Sequence, residues 1–207
     1  MLERSSQRAS TARRNKMSTS TTALMTAEEF LLLPDEDGFR DELINGELIR
    51  MPSPRPPHGR TTLRLAVPLA QFIWDHGLGD VFENSGFKLT ANPDTVLAAD
   101  ISFVAKERLE PEPDPEKYWP GAPDLAVEIL SPSDRPSMVN KRLGIFFARG
   151  VKQVWIVNPK KRTVTVYRSP SDSITFSGSD ELEADDILPG FRISLDRIFG
   201  PTPGMTK

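Results

Sequence analysis

The segment PDLAVEILSPS (123–133) decides the fold class. Leu125, Val127 and Ile129 alternate with Ala126 and Glu128, which is the two-residue period of a β-strand whose side chains point to opposite faces. Glu128 is therefore predicted in the middle of an apolar strand. An ionised carboxylate in such a place is costly unless an opposite charge or a bound cation compensates it.

The segments after this strand continue a regular pattern. A helix is expected from about residue 135 to Gly150, because glycine is favoured just past a helix C-terminus. Residues 153–159 and 162–169 then read as a β-hairpin. A strand, a crossing helix and a further strand are typical of an α/β or α+β domain built on a central mixed β-sheet with helices on its faces.

The segments before the strand complete the predicted domain. ELINGELIRM (42–51) predicts a second hairpin, since Asn-Gly supplies the positive φ angles of a tight turn. Residues 81–90 and 96–106 each predict one strand. Residues 58–76 predict a helix. The apolar residues expected on the buried side of this helix are Leu63, Val67, Ala70, Ile73 and Trp74.

Composition excludes several classes of site. The chain of 207 residues has no cysteine, so it holds no disulfide, thiolate zinc site or cysteine nucleophile, and a reducing cytoplasm is the expected compartment. With only His58 and His76, a site built from several histidines is disfavoured. The longest apolar stretch contains an arginine and a proline and is too short for a bilayer, so no membrane anchor is expected.

Charge divides the chain into a basic tail and an acidic domain. Residues 1–22 carry a net charge of +4 and almost no apolar side chains, so they are predicted to be a disordered tail. A transit peptide, an arm that contacts phosphates, and an over-extended start upstream of Met17 or Met25 remain open for this segment. Residues 23–200 are expected to form a single domain, followed by a C-terminal tail at 201–207.

Three carboxylates are candidates for chemistry because each lies in an otherwise apolar segment: Glu42, Asp100 and Glu128. Neither a glycine-rich phosphate loop nor a GxSxG nucleophile motif is present. A hard divalent cation would compensate such carboxylates, and Mg²⁺ or Mn²⁺ takes one or two of them together with waters and phosphate oxygens. Ion pairs with Arg or Lys, or strand ends that reach water, are the alternatives, and the sequence leaves both open.

Four segments together resemble a known family: ELINGEL (42–48), AADISFV (98–104), APDLAVEILSPS (122–133) and KQVWIVNP (152–159). They resemble the Uma-two family of putative restriction endonucleases, within the PD-(D/E)XK nuclease superfamily, over the stretch from Thr26 to Phe199. The resemblance implies a restriction-endonuclease-like sheet flanked by helices. It also implies that Asp100 and Glu128 bind Mg²⁺ or Mn²⁺.

The resemblance further bears on Glu42, Lys141 and Gln153. Glu42 would be an additional acidic member of the site. The superfamily lysine is expected two residues after the acidic one, but Leu130 stands there, and the resemblance points instead to Lys141 as the catalytic lysine; a surface lysine is the alternative. Gln153 would have at most a hydrogen-bonding role. Apart from the resemblance, His58 is a candidate for a supporting acid or phosphate contact, and a helix-start residue is the alternative.

The function implied is metal-dependent hydrolysis of DNA phosphodiester bonds without an organic cofactor. A homodimer is expected, because two related sites are the simplest way to cleave both strands of a duplex. Its predicted surface combines a second apolar side of helix 135–149 with VWIV (154–157). The alternative is a catalytically silent nuclease fold that serves as an interaction or regulatory module.

Overall fold

The computed structural model describes residues 24–111, 114–132 and 134–200. The predictions for residues 1–22 and 201–207 lie outside these ranges. Within them, no helix is both long and apolar enough to cross a membrane.

The described residues form four α-helices and thirteen strands. The helices are α1 (Ala27–Leu31), α2 (Pro56–Asp75), α3 (Pro136–Ala148) and α4 (Leu195–Phe199). The strands are β1 (Phe39–Ile44), β2 (Glu47–Pro52), β3 (Gly79–Glu83), β4 (Phe87–Thr90), β5 (Thr95–Leu97), β6 (Ile101–Ala105), β7 (Trp119–Pro120), β8 (Leu125–Ile129), β9 (Gln153–Asn158), β10 (Thr163–Ser169), β11 (Asp172–Ser177), β12 (Glu181–Glu183) and β13 (Arg192–Ser194).

The central sheet has six strands in the order β11-β10-β9-β8-β6-β3. Strand β8 pairs antiparallel with β6 and parallel with β9, so the sheet is mixed. Helix α3 makes the crossover that a parallel β8–β9 pair requires. A second sheet has the order β2-β1-β5-β4-β7, and β12 pairs with β13. The predicted fold class, a mixed sheet flanked by helices, is confirmed, although the strands are divided among three sheets rather than one.

Strand β8 separates two apolar cores. Leu125, Val127 and Ile129 belong to the core that includes side chains of α2 and the C-terminal strands. Ala126 belongs to the other core, together with Leu143 and Phe146 of α3. Because side chains alternate along a strand, Glu128 lies on the same face as Ala126, toward α3.

The single strand predicted at 96–106 is wrong, because this segment forms two strands in different sheets. Strand β5 pairs with β1 and β4, whereas β6 pairs with β3 and β8. The chain changes sheet at Ala98–Asp100. Asp100 therefore lies at the junction of the two sheets, immediately before β6.

The predicted buried side of α2 is wrong at three of its five residues. Leu63, Val67 and Trp74 are exposed, whereas Ala70 and Ile73 are buried as expected. The fully buried row is Leu65, Leu69 and Ile73, each four residues after the last, which is the spacing of one helix face.

The proposed dimer surface at VWIV is also wrong, because these residues form the interior of β9. Val154, Trp155 and Val157 have no exposed area, and Ile156 is also buried. Strand β9 lies between β8 and β10, so both its edges are paired. The segment is apolar because it is a central strand.

Candidate active site

A buried arginine joins two of the predicted carboxylates. Arg142 of α3 donates through Nη1 to Oε1 of Glu42 and through Nη2 to Oε1 of Glu128. Its Nη2 also donates to the Ala98 carbonyl at 3.2 Å. The guanidinium lies 5.7 Å from the ring centroid of Phe146, one helical turn further along α3. The fork of donors therefore links β1, the sheet junction and β8.

Local structure explains why these side chains meet. Glu42 lies in β1 opposite Ile49 of β2, in a hairpin closed by the Asn45-Gly46 turn. Both turn residues have positive φ, 52° and 76°, as a tight hairpin of this kind requires. Arg142 is on the face of α3 that covers the central sheet, beside buried Leu143. The hairpin and the helix thus approach Glu128 from two sides.

The pKa of Glu128 lies near neutrality. Burial raises its pKa to about 7, against the opposing attraction of Arg142. The negative charges of Asp100 and Glu42 contribute to this rise. One guanidinium therefore does not fully compensate the carboxylates that surround it.

Asp100 is held ionised by a different set of donors. Its Oδ2 accepts the backbone N–H of Ile129 at 2.7 Å and lies 3.1 Å from Nε2 of His58. Its Oδ1 accepts Nη1 of Arg40 at 3.1 Å. Burial raises the pKa of Asp100, but the hydrogen bonds and charges of these neighbours outweigh it, so the pKa lies below its ordinary value.

Asp100 favours the protonated form of His58. Burial lowers its pKa, but the hydrogen bond and charge of Asp100 more than offset this effect and leave the pKa raised. The other ring nitrogen lies 3.4 Å from Oγ1 of Thr62, one helical turn along α2. The structure thus brings His58 into direct contact with a predicted metal ligand.

A model of the Uma2 family, described as a putative restriction endonuclease family, matches residues 27–196. The chain belongs to the Uma2 family. Its fold is similar to that of a crystal structure from Anabaena variabilis, described as a putative nuclease belonging to DUF820. The two chains share 23% identity with a TM-score of 0.72, and the match covers 84% of this chain and 97% of the other. No curated protein matches the chain.

The cation that pairs with the two glutamates of this Uma2 protein is Arg142, one residue after the predicted Lys141. Lys141 is exposed, and among the described residues it forms no hydrogen bond or ion pair with Glu42, Asp100 or Glu128. Sequence reasoning missed Arg142 because arginine on an amphipathic helix ordinarily faces water. The available signal was its spacing of four residues from Phe146, on the buried face.

Gln153 is buried away from the carboxylate cluster. Its Oε1 accepts Nε1 of Trp155 at 3.0 Å, and its Nε2 donates to Asp186 at 3.3 Å. It pairs with Leu125, at the opposite end of β8 from Glu128. These contacts give Gln153 a role in the apolar core that contains Trp155.

Asp100 and Glu128 have the donor chemistry of a Mg²⁺ or Mn²⁺ site. Such ions accept one or two carboxylates when waters and substrate oxygens complete the shell. Three carboxylates in the cluster face the fixed charges of Arg142 and Arg40, and His58 adds a third positive charge when it is protonated. No three His, Asp or Glu side chains of the described ranges converge closely enough to hold an ion unaided.

Proposed function

We propose that this Uma2 protein is a metal-dependent nuclease that hydrolyses phosphodiester bonds of DNA. The observation that carries the proposal is the buried cluster of Glu42, Asp100, Glu128 and Arg142 at the junction of the two sheets. Buried carboxylates with perturbed pKa values, such as Asp100 and Glu128, are expensive for a fold and are frequent at catalytic sites. The family description and the nuclease-like fold support the same reaction.

Asp100 and Glu128 would hold the Mg²⁺ or Mn²⁺ ion, which when bound supplies an acidified water and neutralises charge on the scissile phosphate. Glu128 has a pKa of about 7 in the metal-free protein, so metal binding would require it to release the proton that it retains there. Asp100 remains ionised, held in place by His58 and Arg40.

Arg142 replaces Lys141 in this proposal. Burial lowers the pKa of Arg142, but Glu128 and Glu42 raise it by more, so the guanidinium is permanently charged. An arginine does not act as a general base. Its functions here are to orient the two glutamates and to stabilise negative charge that develops on a bound phosphate.

Cleavage by matched variants tests this function. Full-length protein with Mn²⁺ or Mg²⁺ is expected to nick supercoiled plasmid, and Glu128→Gln is expected to lower the rate at least about a hundredfold, since it removes both a metal ligand and a titrating carboxyl. Glu47→Gln is the control, because it makes the same chemical change at an exposed residue of β2. Equal cleavage by the parent and Glu128→Gln, or no cleavage with either metal, would contradict the assignment.

A catalytically silent interaction module is the second candidate, and one observation favours it. The ion pairs of Arg142 with Glu42 and Glu128 can by themselves retain both glutamates in the protein interior. In a silent module these pairs would be structural, and the protein would have no need of a divalent cation.

We also propose that the protein is a homodimer, through a surface other than the one predicted. Exposed Leu63, Val67 and Trp74 place a row of apolar side chains along α2. Light scattering at micromolar concentration is expected to give twice the chain mass of 23.1 kDa. A double replacement, Leu63→Asp with Val67→Asp, is expected to return the mass to that of one chain. A parent protein that stays monomeric across concentrations would rule the dimer out.

A further inference from the structure

A groove of about 400 Å³ lies between β2 and the start of α3, beside the Asp100–His58 pair. The charged residues of its lining are Arg40, Arg50, His58, Asp134 and Arg135. Arg40 and Arg50 also pair with carboxylates outside the lining, namely Asp100, Asp41 and Glu36. Arg135 is the cation of the lining that has no ion pair with a described residue, and it gives the groove a charge that attracts a polyanion.

The groove leads to the carboxylate cluster. A small adjoining cavity of about 40 Å³ is lined by Glu128 and Arg142. It shares Arg40, Met51, Asp134 and Met138 with the groove. A phosphate that lies in the groove would therefore be next to the proposed catalytic residues.

The other approach to the cluster has the opposite charge. A pocket of about 380 Å³ between α1 and β1 is lined by Asp35, Glu36, Asp41 and Glu42, with Arg40 as its single permanent cation. Nucleic acid is repelled by such a surface, since its affinity depends on neutralising phosphates. The two sides of the β1–β2 hairpin therefore differ in charge, and the groove side is the one that favours a phosphate ligand.

We propose that the groove between β2 and α3 binds the phosphate backbone of the DNA strand that is cleaved, and that Arg135 is its principal phosphate contact. This inference rests on the proposed function for the identity of the strand. Arg135 is exposed and forms no ion pair with any described residue, so its guanidinium is available to a ligand. Arg50 is less available, because Asp41 and Glu36 already pair with it.

A charge reversal at each end of α3 tests the groove. The parent, Arg135→Glu and Arg149→Glu would be titrated into a fluorescently labelled DNA duplex in chelator, with binding followed by anisotropy at several salt concentrations. Arg149 is exposed at the other end of α3, about 20 Å away for a helix of this length. The two variants therefore carry the same charge change, one in the groove and one outside it.

Arg135→Glu is expected to weaken binding at least about tenfold and to reduce the slope of log affinity against log salt by about one. Arg149→Glu is expected to stay within about twofold of the parent. Equal affinities for the two variants, or no DNA binding by the parent, would contradict the proposal that this groove binds DNA.

The proposed function can fail separately from this inference. If Arg135→Glu selectively loses DNA binding but the parent cleaves no DNA, the result would support the DNA-binding groove and contradict the nuclease function. If the parent cleaves DNA but Arg135→Glu does not change DNA binding, the result would support the nuclease function and contradict the DNA-binding groove.

Discussion

Replacing Arg142 with methionine is expected to lower the free energy of unfolding by about 3–5 kcal/mol, because it leaves two buried carboxylates without their shared cation. Methionine keeps most of the aliphatic volume and the contact with Phe146, so the loss reports charge rather than a cavity. Denaturant unfolding of the parent and the variant at pH 8, in chelator, measures the difference. Arg142→Lys retains a charge but not the fork of donors, and we expect an intermediate loss.

Lys141→Met is the matched control for this experiment. It removes a neighbouring cation of the same helix, but Lys141 is exposed, so its free energy of unfolding should stay within about 0.5 kcal/mol of the parent. Should Lys141→Met be the more destabilising change, the assignment of Arg142 as the central cation would be wrong. An Arg142→Met variant as stable as the parent would show that water, not Arg142, compensates the glutamates.

Replacing Glu128 with glutamine is expected to raise the free energy of unfolding, in contrast to Arg142→Met. The pKa of Glu128 is about 7 in the folded protein, above its ordinary value of 4.5, so the folded state holds the proton more tightly than the unfolded state. Stability is then lost as the pH rises from about 4.5 to about 7, and the full cost is present at pH 8. Glutamine removes this cost, on the order of 1–3 kcal/mol, while Arg142 keeps Glu42 and the Ala98 carbonyl as partners.

The pH dependence of unfolding checks the cause of this stabilisation. In chelator, Glu128→Gln should be at least as stable as the parent at pH 8, and the advantage should shrink as the pH falls toward 5, where Glu128 is protonated in the folded protein. A variant that unfolds more easily than the parent at pH 8 would mean that the pair with Arg142 is a net stabilising contact. That result would favour the silent module.

The sequence was sufficient for the central strand and for the unusual burial of Glu128 within it. Alternation in 125–129 and the polar exception at Glu128 predicted both a buried strand and a need for compensation, and the structure has both. Glu42 and Asp100 were found by the same reasoning, because an acid in an apolar segment is conspicuous without knowledge of the fold. The Asn45-Gly46 hairpin was equally local, since two residues specify the turn.

Features that depend on tertiary placement were not predictable from local patterns. The segment 96–106 reads as one strand, but its two halves pair in different sheets, and only those pairings reveal the junction at Asp100. Helix α3 presented two basic residues in succession, and a rotation of about 100° along the helix decides which one is buried. The contrast between the basic groove and the acidic pocket arises from loops and strands that are far apart in sequence.

Isothermal titration of Mn²⁺ into metal-free parent protein and into Glu128→Gln is the most direct test of the central claim, that the buried carboxylates form a metal-dependent nuclease site. We predict saturable binding by the parent, at least one ion per chain, with one site lost in the variant. Heat released equally by both proteins would place the ion elsewhere. A parent that binds no Mn²⁺ would contradict the claim and leave the ion pairs of Arg142 and Arg40 as the compensation of the cluster.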